Sequence, residues 1–266
     1  MKILKNAALT AAAMTAMALA TQCTTATKPA AQVNATKLPT DTIALLDGSW
    51  LQISFIRHAS LAMNCDGQVI YVDPVANFTS DSTFHPDYAS MDKADLILIT
   101  HAHGDHFDST VIKTLSKETT LVILNGESQQ KFGSGETLGN GESRIVGNWL
   151  TVTAVPAHNV TPGKEMFHPA NGRDNGYVLE FAGCRVYISG DTEVVPDVVC
   201  DPAKPVDIAF LSVNQPYTMT LEQATAEALK LKPRILYPIH YGDTEIDKLP
   251  GMLEGSGIDV RIRQMQ

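Results

Sequence analysis

The sequence predicts an α/β layered fold, in which β-sheets are sandwiched between helices. Predicted β-hairpins come first, and alternating strands and helices then close each half of the chain, which is the element order expected for such layers. The 266 residues are 44% hydrophobic and 18% charged, so one domain can bury a sizeable core. We therefore expect one folded domain, preceded by segments of a different character.

The first segment, residues 1–22, has the parts of a secretory signal peptide. Lys2 and Lys5 precede an apolar, alanine-rich run that ends in an A-x-A pattern at Ala20. The run is too short to span a membrane. Cys23 resembles the lipidated cysteine of bacterial lipoproteins. We therefore predict export, either to the periplasm as a soluble protein or to the bacterial envelope with a lipid anchor at Cys23.

A change of composition marks the start of the folded domain. Residues 23–47 are rich in Thr, Ala, Lys and Pro and show no sustained period, which predicts a flexible linker. Folded sequence begins near Trp50, and the domain is predicted to cover residues 48–266.

Charge and cysteine content argue against two classes of protein. The formal net charge is -9, whereas nucleic-acid binding needs clustered Lys and Arg to contact phosphates, so no nucleic-acid partner is expected. The four cysteines have the spacing of neither a zinc ribbon nor a disulfide framework. A small-molecule substrate is the expected partner, and formation of a homo-oligomer is left open.

The predicted elements follow from short apolar runs and from caps. Asp66-Gly67 predicts a hairpin turn between two strands. Asp108 can cap one helix, and Thr220 with Gln223 forms a capping box for another. Residues 74–92 are predicted as a loop over the site, and residues 125–143 as connecting turns. The predicted strands are 51–56, 61–65, 69–73, 96–99, 121–124, 149–155, 177–181, 185–189, 208–213, 234–239 and 258–263, and the predicted helices end near residues 117 and 231.

A dense group of metal-capable side chains follows one buried strand. His101, His103, Asp105 and His106 lie within six positions. His101 and His103 are two residues apart, so an extended backbone points both the same way. A turn at Gly104 then lets the other two side chains aim at a second point nearby. This strand end can therefore hold two metal ions.

Three further apolar runs each end in a potential ligand, namely His158, Asp191 and His240. In layered α/β folds, sites gather at the carboxyl ends of strands, so these separated residues can converge on one place. Each residue alone would be interpreted as a capping or core residue. Together with the histidine-rich group they indicate a metal centre, and imidazole and carboxylate ligands suit zinc while also admitting manganese or iron.

The order of these residues resembles the ligand set of the metallo-β-lactamase superfamily, from about Leu51 to the C-terminus. The resemblance implies an αββα four-layer sandwich and two divalent metal ions, with Zn²⁺ expected and Mn²⁺ or Fe as alternatives. The implied ligands are His101, His103 and His158 for the first metal, Asp105, His106 and His240 for the second, and Asp191 as the bridging carboxylate.

Short motifs are similar to one branch of that superfamily, which contains ascorbate-6-phosphate lactonases and N-acylphosphatidylethanolamine phospholipase D. The branch usually has Gly before its first histidine, where this chain has Arg57. This change either puts a cation at the pocket edge or marks a local backbone difference. The motifs are Arg57-His58-Ala59-Ser60, Asp73-Pro74, Gly190-Asp191-Thr192, Tyr217-Thr218-Met219-Thr220 and Ile239-His240-Tyr241-Gly242.

The resemblance implies a dinuclear hydrolase in which a metal-bridging hydroxide attacks the substrate, and the predicted signal peptide adds the expectation that this hydrolase is exported. As a hypothesis, Asp105 orients this hydroxide and accepts its proton. His58 has either a substrate or supporting role, or is a buried histidine bonded to backbone. Few cations are available for a phosphodiester, the candidates being Arg57, Lys164 and Arg173, which favours a lactone, an ester or a similar small substrate.

Several alternatives to a lactonase or esterase stay open. Phosphodiesterase or β-lactamase activity would use the same fold. A non-hydrolytic metal-binding or redox member would be revealed by iron content or by inertness toward esters and phosphodiesters.

Other polar residues have two interpretations each. Asp73 either orients a ligand histidine or caps the loop that follows it. His168 lies in a long loop where substrate-binding residues occur, but its Phe-His-Pro context is also typical of a turn. Tyr217 and Tyr241 either polarise a substrate oxygen or pack in the core.

Overall fold

The computed structural model describes residues 38–76 and 85–265, which fold into two seven-stranded β-sheets and four α-helices. The predicted signal peptide, Cys23 and most of the predicted linker lie outside the described residues. None of the helices in the described ranges is long and apolar enough to cross a membrane.

The strands of the described ranges are mostly short, buried runs, as the sequence pattern predicts. They are β1 Thr40–Ala44, β2 Trp50–Arg57, β3 Ser60–Cys65, β4 Gln68–Val72, β5 Leu96–Ile99, β6 Leu121–Leu124, β7 Glu136–Thr137, β8 Ser143–Val146, β9 Leu150–Ala157, β10 Asp174–Phe181, β11 Cys184–Ile188, β12 Ile208–Ser212, β13 Ile235–Ile239 and β14 Asp259–Val260. The α-helices are α1 Ser109–Leu115, α2 Gly126–Phe132, α3 Leu221–Leu231 and α4 Leu249–Met252, and short 3₁₀ helices cover Tyr88–Ser90, Asp197–Val199 and Ile246–Lys248.

The two sheets share one plan. The first sheet contains β1 to β7 in chain order, and the second contains β8 to β14 in chain order. In each sheet the first three neighbouring pairs are antiparallel and the last three are parallel. Each half of the chain therefore begins as a meander and ends with parallel strands, as the order of predicted elements indicated.

Three buried clusters establish the order of the layers. The largest cluster joins the sheets and includes Leu51 of β2 and Phe210 of β12. A second cluster packs α3 and α4 on the second sheet through Ala228 and Leu249, and a third packs α1 on the first sheet through Ile112. Burial of one such large apolar side chain contributes about 1.5–3 kcal/mol. The layers run helix, sheet, sheet, helix, which confirms the predicted αββα sandwich.

The local signals for turns and caps are confirmed where they were strongest. Asp66 and Gly67 both have positive φ and join β3 to β4, as a tight hairpin requires. The Asp108 carboxylate accepts hydrogen bonds from two backbone N–H groups of α1. Thr220 and Gln223 form the predicted capping box of α3.

The predicted linker is too long at its C-terminal end, because β1 lies within residues 23–47. Strand β1 pairs antiparallel with β2 along its whole length and buries Ile43. Its Asp41 carboxylate forms ion pairs with Arg261 and Arg263, which lie more than two hundred positions later. The pairing partner and the arginines are remote in sequence, so composition alone could not reveal this strand.

Two further predictions were wrong in detail. Residues 125–143, predicted as turns, contain α2 and β7; the Asn125 side chain caps α2 and Gly133 ends it with φ of 79°. The last predicted strand, residues 258–263, shortens to two residues in β14.

Candidate metal centre

Loops at strand ends of both sheets bring the polar residues together. The first sheet supplies the ends of β2, β4 and β5, and the second supplies the start of β10 and the ends of β11 and β13. The donor atoms form compact groups in which every atom lies within 4.8 Å of the others. We call His101, His103 and His168 the first histidine group, and His58, Asp105, His106 and His240 the second histidine group.

In the first histidine group, three imidazoles from two loops face one another. His101 Nε2 lies 3.1 Å from His103 Nδ1. The ring centroids of His101 and His103 are each 5.0 Å from that of His168. Two nitrogens bound to one tetrahedral zinc at about 2.1 Å would lie roughly 3.4 Å apart, so this spacing suits a shared metal ion.

In the second histidine group, imidazoles surround one carboxylate. Asp105 Oδ2 lies 3.2 Å from His58 Nε2 and 3.4 Å from His240 Nε2. His106 Nε2 is 3.8 Å from the same oxygen. Unlike the three buried histidines, Asp105 keeps 29% of its side chain exposed, so its carboxylate can also face a substrate.

Asp191 lies between the two groups and contacts both. Its Oδ2 is 3.3 Å from His168 Nε2 in the first group and 3.2 Å from His240 Nε2 in the second. Its Oδ1 is 3.4 Å from His106 Nε2. A carboxylate that lies within 3.3 Å of a histidine in each group is placed as a bridging ligand would be.

Asp73 fixes the orientation of two histidines from behind. Its Oδ2 accepts a hydrogen bond of 2.8 Å from His106 Nδ1 and one of 2.6 Å from the Thr100 hydroxyl, while Oδ1 accepts from Thr100 N. The Thr100 hydroxyl oxygen lies 3.0 Å from His101 Nδ1 and can accept a hydrogen bond from it. These contacts hold both imidazoles by Nδ1 and turn Nε2 toward the centre, which is the orienting role predicted for Asp73.

Asp174 plays the corresponding part for His168, and the sequence interpretation missed it. Asp174 Oδ2 lies 3.0 Å from His168 Nδ1, and Arg173 donates 2.7 Å hydrogen bonds to both carboxylate oxygens. Burial raises the pKa of Asp174, but the bonds from Arg173 and His168 outweigh it and hold the pKa below its ordinary value. The sequence signal that could have identified Asp174 is a carboxylate at the first position of a strand, directly after a polar loop.

Backbone conformation also aims the site residues. His58, Asp73 and His240 follow strands β2, β4 and β13 with φ between 43° and 51°, a left-handed conformation that costs about 1–3 kcal/mol for a residue other than glycine. Gly190, with φ of 59°, precedes Asp191, and a Cβ there would lie 2.4 Å from the Asn175 carbonyl oxygen. Only glycine lets the turn after β11 approach β10 this closely.

His158 is the one predicted ligand that belongs to no donor group in the described chain, whereas Asp191 contacts both histidine groups. The backbone N and O of His158 contact the Thr192 hydroxyl, at the end of β9, but its imidazole belongs to none of the donor groups among the described residues. His168, ten positions later, stands with His101 and His103 instead. The loop after β9 folds back through the hydrogen bond from Asn159 N to His168 O, which returns the later histidine to the site.

Burial and neighbouring charges together determine the pKa values of the centre, and charge outweighs burial at His240 and Asp191. Burial lowers the pKa of His240, but the carboxylates of Asp191 and Asp105 outweigh it and raise the pKa to about 9. Burial raises the pKa of Asp191, but His106 and His240 bring it well below its ordinary value. Burial, followed by the charge of His106, lowers the pKa of His101 well below its ordinary value.

Three buried atoms that face the centre have no hydrogen-bond partner in the described part of the chain. They are Nε2 of His106, Nε2 of His240 and Oδ1 of Asp191. An unpaired buried polar atom costs about 1–3 kcal/mol, so a set of them in one place indicates a missing ligand. Imidazole nitrogens and carboxylate oxygens together suit a divalent metal such as zinc, and the residues present therefore fit a metal ion.

A cavity of about 390 Å³ opens onto the exposed side of the two groups. Aromatic and amide side chains from the second half of the chain complete its wall beside the metal-capable residues. The ring centroids of Phe167 and Tyr217 are 5.0 Å apart in an edge-to-face contact. The lining residues are His58, His103, Asp105, Phe167, His168, Asp191, Asn214, Tyr217 and His240.

The cations considered for substrate binding do not line this cavity. Arg57 is buried and donates to the Ala76 carbonyl. Lys164 donates to Gln215, and Arg173 is bound to Asp174. The described cavity wall therefore contains no lysine or arginine.

Comparisons with known proteins agree with this geometry. The chain matches the family model of the Beta-lactamase superfamily domain over residues 52–240, which include both histidine groups. A UPF0173 metal-dependent hydrolase from Thermus thermophilus is 30% identical over 196 residues, which are 72% of this chain and 84% of the relative.

Two solved structures extend the comparison to three dimensions. A crystal structure from Parabacteroides distasonis, named as a metal-dependent hydrolase, is 47% identical, with 86% of this chain and 100% of that chain covered and a TM-score of 0.79. A metallo hydrolase from Ignicoccus hospitalis is 23% identical, with coverages of 81% and 95% and a TM-score of 0.66, and it shows the same fold. The chain therefore belongs to the metallo-β-lactamase superfamily, as one of its metal-dependent hydrolases.

Proposed function

We propose that the protein hydrolyses a small, uncharged lactone or ester with two divalent metal ions bound at the two histidine groups. The first metal would be held by the first histidine group, the second by Asp105, His106 and His240, and Asp191 would contact both. Two such ions supply Lewis acidity and lower the pKa of a water molecule toward neutrality.

We infer the substrate class from the composition of the cavity wall, which in the described chain contains no lysine or arginine. Anionic phosphodiesters are usually bound by charge-assisted hydrogen bonds from such side chains. Here the wall offers instead the Phe167 and Tyr217 rings and the Asn214 amide. An apolar substrate body can pack on the rings, while a carbonyl or ring oxygen accepts a hydrogen bond from the amide or the phenol.

Asp105 is the residue best placed to move a proton. The Asp105 carboxylate is partly exposed to the cavity, whereas Asp191 is buried. The Asp105 carboxylate also lies within 3.4 Å of the imidazoles of His58 and His240. We propose that Asp105 orients the attacking water and accepts its proton. His58 Nε2 lies 3.2 Å from Asp105 Oδ2 and would hold the carboxylate in this orientation. His58 would therefore contribute to catalysis by positioning Asp105.

The first test combines metal content with substrate class. Protein purified without chelator should contain about two Zn²⁺, Mn²⁺ or Fe ions per chain. A panel of neutral lactones, aryl esters, β-lactams and bis-aryl phosphodiesters should show turnover of the first two. Turnover of phosphodiesters alone would overturn the substrate class. One metal or none, with no turnover after metal is added back, would overturn the proposed function.

The second test addresses the proton-accepting role, and metal content is measured alongside turnover because Asp105 would also hold the second metal ion. Exchanging Asp105 for Asn should lower turnover on the order of 10²–10⁴-fold, the usual contribution of a positioned base, with an unchanged circular dichroism spectrum. Asp197→Asn is the matched control, because the Asp197 side chain is 98% exposed and pairs with Lys230 instead. Wild-type turnover in the Asp105→Asn enzyme would reject the assignment.

A further inference from the structure

The last described residues run alongside the second histidine group and contact it through the backbone. The backbone N–H of His58 donates a 2.5 Å hydrogen bond to the Met265 carbonyl, and the N–H of His240 donates a 2.9 Å bond to the His58 carbonyl. This chain of bonds links a strand end of each sheet to the C-terminal segment.

We propose that Tyr241 and residues 263–265 form a C-terminal clamp that positions His58 and His240 and thereby sets the affinity of the second histidine group for its metal ion. Tyr241 is a positioning residue in this proposal. The proposal rests on the two-metal part of the proposed function and is independent of the substrate.

The Tyr241 phenol fastens the segment to the strand end that carries His240. Its hydroxyl donates a 2.9 Å hydrogen bond to the Arg263 carbonyl and accepts one of 2.9 Å from Met265 N. Both capacities of the hydroxyl are therefore used on the segment, and Tyr241 does not line the cavity. This arrangement argues against the predicted alternative in which Tyr241 polarises a substrate oxygen.

The two histidines need such an external constraint. Both have left-handed backbones, with φ of 51° for His58 and 50° for His240, a conformation that persists only where the surroundings enforce it. Their ring centroids are 3.8 Å apart, so a small backbone shift at either residue changes the spacing of the donor atoms. Met265 as a whole is only 2% exposed, so its buried surroundings hold the carbonyl that His58 contacts.

The clamp is also anchored at its other end. The Arg263 guanidinium donates hydrogen bonds of 2.9 and 2.6 Å to the two oxygens of Asp41 on β1. It also lies 6.0 Å from the Phe55 ring and 5.8 Å from the Tyr237 ring, within the range of cation–π contacts. The segment is therefore held by β1, the first strand of the first sheet, and by the end of β13 in the second.

The test is Tyr241→Phe, which removes the hydroxyl and retains the ring. Competition titration of chelator-treated protein with Zn²⁺ should show that one of two sites weakens by up to about 10-fold. This is the lower end of the effect of losing a group that hydrogen-bonds a metal ligand, because Tyr241 acts on the histidines through residues 263–265. The other site should keep wild-type affinity. Tyr187→Phe is the matched control, because Tyr187 is fully buried and its hydroxyl has no hydrogen-bond partner in the described chain.

A hydrogen-exchange measurement on the wild-type chain keeps the proposal testable if the variant does not fold. Coupling between sites is reciprocal, so loading with Zn²⁺ should slow amide exchange at His58 and at residues 263–265. Equal exchange in loaded and chelator-treated protein, or two wild-type Zn²⁺ affinities in Tyr241→Phe, would overturn the clamp. Fewer than two Zn²⁺ sites in the wild type would instead overturn the two-metal proposal.

Discussion

The two halves of the molecule share a strand plan but supply the site in different ways. The first sheet contributes most of its donors from one loop of six residues after β5. The second sheet contributes His168, Asp191 and His240 from three separate loops. The same architecture therefore carries one compact set of donors and one dispersed set.

The supporting carboxylates differ in the same way. Asp73 is held by the backbone N–H and hydroxyl of Thr100, next to the metal-capable loop. Asp174 is held by the side chain of Arg173 and supports a histidine in a long loop. We infer that the first half presents donors preorganised by its strand ends, whereas the second half depends on the fold of its loops.

The largest expected effect distinguishes the two histidines of the loop after β9. His168→Ala removes one of three imidazoles of the first histidine group and should reduce Zn²⁺ content from two to one per chain. His158→Ala should retain both ions, because its imidazole belongs to neither group. Elemental analysis of both variants checks this prediction, and loss of a metal in His158→Ala would restore the ligand set that the sequence resemblance implied.

The contrast between His158 and His168 shows which site residues can be predicted from the sequence and which cannot. The local group from His101 to His106 needed only strand periodicity and a turn at Gly104, and the structure brings all four side chains together. His158 looked equivalent to Asp191 and His240 because it also follows an apolar strand. His168 takes the place that was expected for His158, because residues 159–168 fold back toward the site. No periodic sequence pattern predicts the path of this loop.

The same limit applies to the fold. The hairpin at Asp66-Gly67, the caps at Asp108 and Thr220 and most buried strands follow from local chemistry, and the ends of these strands were predicted to within about three residues. Strand β1 and the C-terminal clamp depend on Asp41 meeting Arg263, a contact across 222 positions. Such contacts form only when the two sheets pack together, so the sequence neighbours of Asp41 and Arg263 do not predict them.

The next largest effect compares the two supporting carboxylates. Asp73→Asn should weaken Zn²⁺ binding at both histidine groups by about 10- to 100-fold each, since Asp73 orients His106 directly and His101 through Thr100. Asp174→Asn should weaken only the first group. Competition titration with Zn²⁺ resolves the two sites, and equal losses at both sites in Asp174→Asn would contradict the separation of the halves.

The pH dependence of metal uptake should also differ between the groups. In the metal-free chain the pKa of His240 is raised to about 9 and that of His106 is raised, so a metal ion must displace these protons. In the first group only His168 has a raised pKa, while those of His101 and His103 are lowered. Each displaced proton changes affinity by about tenfold per pH unit.

The raised pKa of His240 determines the direction in which Zn²⁺ affinity changes with pH. Protonated His240 stabilises the metal-free fold fully below its unfolded pKa, and this contribution is lost as pH rises through about 9. Because these protons compete with the metal ion, Zn²⁺ affinity should rise as pH increases from about 7 to about 9, more steeply at the second histidine group than at the first. Titrations at three pH values within this window check the prediction, and equal slopes would contradict it.

The smallest effect concerns Asn125, which joins the halves. Its carbonyl oxygen caps α2 by accepting from Ser128 N, and its amide donates a 2.7 Å hydrogen bond to the Arg173 carbonyl, beside Asp174. Asn125→Ala should lower the free energy of unfolding by about 0.5–2 kcal/mol through loss of the cap. Urea denaturation measures this change.

The control for Asn125 is Thr220→Ala, which removes the cap of α3 at a similar cost and, in the described chain, makes no hydrogen bond to Arg173. If the second half depends on its loops, only Asn125→Ala should also weaken Zn²⁺ binding at the first histidine group, and by less than Asp174→Asn does. Equal Zn²⁺ affinities in the two cap variants would mean that Arg173 holds Asp174 without help from the first half. The dispersed set of donors would then be as self-sufficient as the compact one.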